Sequence, residues 1–308
     1  MQVRLGIVGL GHMGMVHLKK ALARKDVEIV AVIEKDSRKL HLVRDEFNMK
    51  TYDDYTKVDL ELDCVVIATP ATTHYEITKF YLQRGIHVFV EKPLAVKYEE
   101  AFELVKIAEK KKLKLQVGHI ERFNPALKEG LKYIDHPLYI EAIRLSPFSG
   151  RCLDVDVVFD LMIHDLDIIS TLKKESPEKI DAFGFSFVSD RIDEASAIIR
   201  FSDGTESYLS ASRVSHRKER TLKIFDGKKI VIMDLLDMSI SLATKNGYAV
   251  NFKTYSCEKK DLVEEEIENF ILSVKGEENP FVEGKDTLPS LFFAEKILES
   301  ICGIRKGI

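Results

Sequence analysis

The chain has 308 residues, of which 45% are hydrophobic and 31% charged, a composition typical of a globular protein that can bury a sizeable core. No apolar run approaches the roughly 18 residues of a membrane-spanning helix, and a formal net charge of -4 gives no general attraction to nucleic acid, so we expect neither partner. The N-terminal segment lacks the pattern of a secretory signal, and we therefore expect a cytoplasmic protein.

The first 120 residues alternate short β-branched runs with amphipathic segments. Because the predicted strands are apolar on both faces, this repeated βα pattern predicts a mostly parallel, doubly wound sheet covered by helices, as in a Rossmann domain. Strands are predicted at 3–9, 28–34, 63–69, 87–93 and 114–119, and helices near 13–25, 37–46, 74–84 and 97–112.

The rest of the chain has a different pattern, in which many strand-like runs are joined by short polar turns. This pattern predicts an α+β domain with a large, mostly antiparallel sheet. A helix is predicted near 125–135, and two helices, 261–275 and 285–302, close the chain. The predicted strands are 139–146, 179–187, 195–201, 206–212, 220–225, 229–234, 239–243 and 248–255.

The segment GLGHMG fits the GxGxxG pattern of dinucleotide-binding turns and directly follows the first predicted strand. Gly9 would permit the tight turn, Gly11 the close approach of a pyrophosphate, and Gly14 close helix packing. Glu34 ends the second strand, where its carboxylate could bind the ribose hydroxyls and repel a 2′-phosphate, so NAD is favoured over NADP. The residues predicted here to bind the cofactor are Gly9, Gly11, His12, Met13, Gly14 and Glu34.

Two further segments follow predicted strands of the same sheet. ATPATTH begins where the third strand ends, and Thr69, Pro70 and His74 could line the nicotinamide side of the cleft, although His74 could equally be a helix-start residue. In VFVEKPLA, Glu91 and Lys92 interrupt an apolar strand at its carboxyl end. We assign both residues to the cofactor site. A partly buried lysine there could polarise a hydroxyl oxygen, whereas an ion pair with Glu91 that only caps the strand is the alternative.

The apolar segment VFDLMIHDLDII carries four polar residues. On an α-helix, Asp160, His164 and Asp167 would lie within roughly 60° of one another and share a face. A histidine flanked by carboxylates is suited to act as a general base, because a carboxylate stabilises the imidazolium. A metal site or a purely structural network are the alternatives. Asp165 falls among the apolar positions, and the pattern gives it no role.

These motifs together resemble those of the Gfo/Idh/MocA family of sugar oxidoreductases, and the resemblance covers nearly the whole chain. GIVGLGHMGMVH is similar to the family's dinucleotide loop with its trailing histidine, here His17, and EKPLA to its catalytic-lysine motif. DLMIHDLD is similar to its Asp-x-x-x-His-x-x-Asp helix. The resemblance implies Lys92, Asp160 and His164 as the catalytic set. Met162 stands where the family commonly has glycine.

The resemblance also implies a division into two domains. We expect an NAD-binding Rossmann domain over 1–120, and an α+β domain with an open-faced sheet over 121–308 that binds substrate and forms a homodimer or homotetramer. VGHIERFNP and SHRKERTL resemble the members that oxidise the 3-hydroxyl of UDP-N-acetylglucosamine. Charged side chains in these segments could engage an anionic substrate group. The residues predicted to bind the substrate are Arg122, Asn124, Asp167, Lys218 and Arg220.

The sequence therefore predicts an NAD-dependent dehydrogenase that oxidises a sugar ring hydroxyl, with UDP-N-acetylglucosamine or a related UDP-sugar as substrate. A dehydrogenase for a free sugar or a cyclitol such as myo-inositol is one alternative. A regulator that binds NAD or a sugar without chemistry is another. No metal is expected, because no second cluster of ligand residues accompanies the histidine helix and the four cysteines are far apart.

Overall fold

The computed structural model describes residues 2–305, with side chains described through residue 303. The chain forms two compact units. Unit 1 contains the residues up to His119 together with Asp261–Leu288, and unit 2 contains Ile120–Lys260 together with the residues from Pro289 onward. None of the helices in this described part of the chain is long and apolar enough to cross a membrane.

Unit 1 is built on a six-stranded sheet in which all neighbouring strands are parallel. The order β3-β2-β1-β4-β5-β6 is that of a doubly wound dinucleotide-binding sheet, so the predicted Rossmann architecture is confirmed. The strands are β1 Val3–Val8, β2 Val27–Ile33, β3 Thr51–Tyr52, β4 Cys64–Ile67, β5 His87–Glu91 and β6 Leu115–Gly118. The helices between them are α1 His12–Leu22, α2 Ser37–Phe47, α3 His74–Gln83 and α4 Tyr98–Lys111.

Unit 2 is built on an eight-stranded sheet, as the run of short strands predicts. Its order is β14-β13-β12-β11-β7-β10-β9-β8, and only the pair of β7 and β10 is parallel among these described strands. The strands are β7 Tyr139–Leu145, β8 Lys179–Phe185, β9 Glu194–Arg200, β10 Glu206–Ser212, β11 Glu219–Phe225, β12 Lys229–Asp234, β13 Ser239–Asn246 and β14 Ala249–Ser256. The remaining helices are α5 Pro125–Leu131, α6 Ile163–Leu172, α7 Leu262–Lys275 and α8 Leu288–Arg305.

The histidine segment is not a uniform α-helix as predicted. Val158–Met162 forms a π-helical turn that runs directly into α6. Such turns have i→i+5 hydrogen bonds and occur mostly as single insertions at functional sites. The apolar pattern predicts a helix here correctly, but it does not distinguish between the two hydrogen-bond spacings.

Helix α7 corrects the predicted domain boundary, since it belongs to unit 1 although it follows the whole sheet of unit 2 in sequence. Phe270 packs edge-on against Phe89 of β5 with ring centroids 5.7 Å apart, and the Lys275 ammonium lies 2.6 Å from the Asp26 carboxylate. The helical period of 262–275 reveals an apolar face, but the period does not say which sheet covers that face.

The inner face of the unit 2 sheet is revealed by the alternation along its central strand β7. Ile140 and Ala142 are buried, whereas the alternate side chains of the strand are half-buried on the other face. Arg144 follows the same alternation and is therefore buried as well. A charged residue on the core face of a central strand requires a partner, and that partner lies in the candidate site.

The position of α7 makes a testable contribution to stability. Phe270 is fully buried, and Phe270→Ala should destabilise the protein by about 3–5 kcal/mol, because it removes apolar contacts and leaves a cavity. Urea unfolding followed by circular dichroism measures this loss. Leu42→Ala, at an exposed position of α2, is the control and should change stability by less than about 0.5 kcal/mol. Equal effects of the two variants would contradict the packing of α7 described above.

Candidate active site

The glycine-rich turn between β1 and α1 has two glycines that the fold itself requires. Gly9 has a φ of +94°, and a Cβ there would lie 2.6 Å from the Ala68 carbonyl oxygen. A Cβ on Gly14 would lie 1.9 Å from the Gly9 carbonyl oxygen. At Gly11, by contrast, a Cβ would meet only the Ala68 oxygen at 3.8 Å, an ordinary contact. The fold leaves room at Gly11, so the lack of a side chain there keeps the start of the helix open.

The N-terminus of α1 fits a pyrophosphate group. Gly11 is its N-cap and has no side chain to cap it, and the first turn carries no acidic residue. The first backbone bond of the helix runs from the Met15 N–H to the Gly11 carbonyl, so the N–H groups of His12 and Met13 point out of the helix end. Such N–H groups and the helix dipole together favour a phosphate. His12 is exposed and Met13 half-buried.

Glu34 lies beside this turn. One carboxylate oxygen accepts a hydrogen bond from the Leu10 N–H at 2.7 Å and the other from the Asp36 N–H at 3.0 Å. These two bonds fix the carboxylate at the end of β2, where the ribose of a dinucleotide is bound in such folds. Of the nearby cations, Arg38 is paired with Asp36, and Lys39 lies 3.9 Å from Glu34.

His74 links two loops of unit 1. It is buried, its Nδ1 lies 2.7 Å from the Pro93 carbonyl oxygen, and its Nε2 lies 3.0 Å from the Thr69 carbonyl oxygen. Both carbonyls can only accept, so both ring nitrogens can donate at once only in the imidazolium form. His74 therefore holds the ends of these two loops together, and its contact with the cofactor stays a prediction. Thr69 and Pro70, which are less buried, remain at the end of β4.

Lys92 is held between two anchored neighbours. The Glu91 carboxylate lies 2.8 Å from Nε2 of the buried His17 on α1, and the Pro93 carbonyl contacts His74 as described above. Burial acts to raise the pKa of Glu91, but the hydrogen bond with His17 and the charges of His17 and Lys92 outweigh it and lower the pKa. Glu91 is thus an anion bound by a histidine, and not only the partner of a lysine.

Gly118 on the neighbouring strand makes room for this carboxylate. A Cβ on Gly118 would lie 2.8 Å from Oε2 of Glu91. The register pairs Glu91 with Gly118 at the carboxyl ends of β5 and β6. Lys92 itself is half-buried at this edge, where ligands bind in open α/β sheets.

In unit 2, two aspartates of α6 form bidentate pairs with arginines. Arg122 donates from Nε and Nη2 to Asp167 at 2.7 and 2.6 Å. Arg144 donates from the same atoms to Asp165 at 2.9 and 2.8 Å. Paired hydrogen bonds of this kind fix orientation as well as charge. Asp165 thus anchors the helix, and Arg122 is bound to Asp167, so its contact with a substrate stays a prediction.

Arg144 and Glu121 are site residues that the sequence analysis missed. Arg144 donates from Nη1 to Glu121 at 2.9 Å, and Arg220 donates to the same carboxylate oxygen at 3.1 Å. Burial acts to raise the pKa of Glu121, but the two arginines lower it, whereas burial and the charge of Arg144 lower the pKa of Arg220. The sequence indicates the burial of Arg144 in one way: in YIEAIRLS it alternates with the apolar residues that face the core.

Asn124, predicted to bind the substrate, lies at the start of α5. It is fully buried, and its Oδ1 accepts from the Ala126 N–H at the start of α5. Its Nδ2 donates to Glu121 and to the Leu235 carbonyl oxygen. These bonds occupy both ends of the amide, and the following Pro125 at the first helical position favours the same helix start. Lys218, in contrast, is exposed before β11.

The two remaining polar residues of the histidine segment are less buried than their neighbours. The Asp160 carboxylate lies 4.0 Å from Nη1 of Arg213. The Arg213 guanidinium also donates from Nη1 to the Cys152 backbone oxygen and from Nη2 to the Val155 backbone oxygen. His164 is half-buried at the start of α6, one turn after Asp160. Among the described residues, no group of three or more His, Cys, Asp or Glu side chains is arranged to hold a metal ion.

Comparison with known proteins identifies the class of protein to which this chain belongs. The profile described as "Oxidoreductase family, NAD-binding Rossmann fold" matches residues 3–119, and the profile of the "GFO/IDH/MocA C-terminal domain" matches residues 151–231. The protein is therefore an oxidoreductase with a nicotinamide cofactor, for which the open helix N-terminus and Glu34 are suitable. Within that class, the chain belongs to the Gfo/Idh/MocA family.

Two relatives are similar over almost their full length. The UDP-N-acetylglucosamine 3-dehydrogenase of Acidithiobacillus ferrooxidans is 31% identical over 92% of each chain. A solved structure of that enzyme covers 98% of each chain with a TM-score of 0.89. The inositol 2-dehydrogenase of Rhizobium meliloti is 25% identical over 99% of each chain.

The buried arginine provides a test of the unit 2 network. Arg144→Met should cost about 3–5 kcal/mol of stability, because it leaves the Asp165 carboxylate buried without its partner. Chemical denaturation measures the loss. The matched control is Arg200→Met, which removes a partly exposed strand arginine paired with Asp181 and Glu206, and which should change the unfolding midpoint little. A small effect of Arg144→Met would show that the network does not anchor α6.

Proposed function

We propose that this oxidoreductase uses NAD to oxidise a ring hydroxyl of a sugar, and that the substrate is UDP-N-acetylglucosamine or a related UDP-sugar, oxidised at its 3-hydroxyl. The observation that carries the chemistry is the fixed position of Lys92 at the carboxyl end of β5, between the anchored Glu91 and Pro93. The 31% identity to the UDP-N-acetylglucosamine 3-dehydrogenase over 92% of the chain supports the choice of sugar.

In the proposed reaction, His164 accepts the proton of the substrate hydroxyl and Lys92 stabilises the developing alkoxide. Asp160 orients this pair and supports the imidazolium that forms. A nicotinamide cofactor, when bound, supplies the hydride acceptor. A well-placed general base of this kind contributes about 100- to 10,000-fold in rate. The Arg144–Asp165 pair holds α6, and with it His164, in a fixed orientation.

A charged substrate group needs a cation whose side chain is accessible to it. Arg122 is bound to Asp167, and Asn124 is buried, so neither residue is part of this proposal. We propose that Lys218 and Arg220 contact the diphosphate of the nucleotide-sugar. Lys218 is exposed, and about a third of the Arg220 side chain remains exposed beside its contact with Glu121.

A second candidate is a cyclitol dehydrogenase, which the similarity to the inositol 2-dehydrogenase over 99% of both chains supports. In that case the same lysine and histidine would act on an inositol hydroxyl, and Lys218 would contact no nucleotide. Turnover of UDP-N-acetylglucosamine compared with free sugars and myo-inositol distinguishes the two candidates.

Substitution of the proposed catalytic residues tests the reaction. NADH absorbance is first measured across a panel of UDP-sugars and free polyols, and kcat/KM should be highest for UDP-N-acetylglucosamine. Lys92→Ala and His164→Ala should each lower kcat by about 100- to 10,000-fold while NAD still binds. Lys97→Ala removes an exposed lysine five residues away and should leave turnover unchanged. Wild-type turnover in both catalytic variants, folded and able to bind NAD, would overturn the mechanism.

The preference for NAD over NADP is part of the proposal and rests on Glu34. Its fixed carboxylate would repel the 2′-phosphate of NADP and accept hydrogen bonds from the ribose of NAD. Glu34→Gln should lower kcat/KM for NAD about tenfold and raise it for NADP. The tenfold change corresponds to a loss of about 1.4 kcal/mol of binding free energy. Glu28→Gln, at the exposed opposite end of β2, should change neither value. An unchanged ratio of the two cofactors in Glu34→Gln would refute this role.

We also propose that the enzyme forms a homodimer or homotetramer through the outer face of the unit 2 sheet. That face exposes apolar side chains at both edges of the sheet, including Phe183 on β8 and Phe252 on β14. A cytoplasmic location is proposed as well, since Cys64, Cys257 and Cys302 form no disulfide within the described residues.

A further inference from the structure

A buried polar cluster lies in unit 1 behind the anchored Glu91, and we call it the Glu266 cluster. It consists of His17 on α1, Glu91 on β5, Gln116 on β6 and Glu266 on α7. The register pairs β5 with β6, and Phe89 of β5 contacts both the His17 ring and Phe270, so α1 and α7 cover the same face of these strands. Gln116 donates from Nε2 to the Glu266 backbone carbonyl at 3.1 Å.

Glu266 differs from the other buried carboxylates of the described residues. It is only 1% exposed, and neither of its carboxyl oxygens has a hydrogen-bond partner within the part of the chain that the structure describes. Asp165 and Asp167, in comparison, are each paired with an arginine. An ionised carboxylate without such a partner is too costly to bury, and a carboxyl group in that situation keeps its proton.

Burial and the charge of Glu91 act on Glu266 in the same direction. Among the elements packed against its helix, β5 presents the Glu91 anion, α1 presents His17, and β6 presents the neutral Gln116. Strand β1 presents the apolar Leu5 and Ile7. Burial first, and then the Glu91 charge, raise the pKa of Glu266 well above its ordinary range. Lys92 and His74 act on Glu91 from beyond the cluster. One carboxyl group of the cluster is therefore an anion and the other a neutral acid.

We propose that Glu266 is a positioning residue for the dehydrogenase reaction: as a neutral hydrogen-bond donor behind the His17–Glu91 pair, it keeps Glu91, and through it the adjacent Lys92, in place. The Gln116 Oε1 also has no hydrogen-bond partner in the described residues, so the cluster has an acceptor for that proton. This role rests on the function proposed above, whereas the protonation of Glu266 does not.

The protonation is tested by the pH dependence of stability, without substrate. A carboxyl group whose pKa is raised by folding takes up a proton on folding above pH about 4.5, so the wild type loses stability as pH rises from there to the folded pKa. Glu266→Gln cannot ionise and lacks this loss. The ratio of the wild-type to the variant unfolding constant should therefore rise with pH above about pH 5, by up to tenfold per pH unit, until it levels off at the folded pKa.

The matched control is Glu268→Gln, which removes an exposed carboxylate from the same helix. Its unfolding constant should keep the pH dependence of the wild type. A ratio for Glu266→Gln that stays constant between pH 5 and pH 7 would mean that Glu266 is ionised in the folded protein, and this result overturns the proposal.

The positioning role is tested by two neutral replacements of similar size. Glu266→Gln keeps a hydrogen-bond donor, whereas Glu266→Met fills the space without one. Competitive acetylation at pH 8, quantified by mass spectrometry with Lys218 as the exposed reference, should label Lys92 about threefold faster in Glu266→Met and at the wild-type rate in Glu266→Gln. With the best sugar, kcat should fall about tenfold in the Met variant only, with KM for NAD unchanged.

Equal labelling of Lys92 in both variants would overturn the positioning role, because a purely structural residue would tolerate either replacement. If no sugar is oxidised by the wild type, the proposed function fails, but the labelling and the pH dependence still decide the role of Glu266. The failure of one proposal is therefore distinguishable from the failure of the other.

Discussion

The buried carboxylates are the constraint on which both candidate sites depend. Each buried anion must be matched by a cation or by backbone donors, since desolvation is costly when it is not compensated. In unit 2, Asp165 and Asp167 are matched by Arg144 and Arg122, and these pairs come from separate segments of the chain. The pairs fix the rotation of α6, so the same contacts that make burial possible also orient the histidine between Asp160 and Asp165.

Unit 1 meets this constraint by two different means. Glu91 is kept as an anion by the hydrogen bond with His17, and its pKa is lowered, whereas the pKa of Glu266 is raised by burial and by the charge of Glu91. Two carboxyl groups in one buried cluster are thus driven to opposite protonation states, since the negative charge of Glu91 disfavours ionisation of Glu266. The result is a single defined negative charge next to Lys92.

Much of the fold and part of the site could be predicted from the sequence. The βα alternation, the glycine turn and the EKP segment are local patterns, and the structure places Gly9, Gly14 and Glu34 in the predicted arrangement. The partners were not predictable, because the Arg144–Asp165 pair and the return of α7 to unit 1 join segments far apart in sequence. A single sequence shows that such a residue needs a partner, but it does not say which one.

Both proposed catalytic groups share one local arrangement, although they lie on different elements. Lys92 is half-buried between the buried Glu91 and Pro93, and His164 is half-buried between the buried Ile163 and Asp165. In each case the neighbours are held by packing or hydrogen bonds, and the reactive side chain keeps access to solvent. Rigid neighbours hold the backbone on both sides of a reactive group and so position its side chain. This is why the anchoring residues, which touch no substrate, are expected to control the rate.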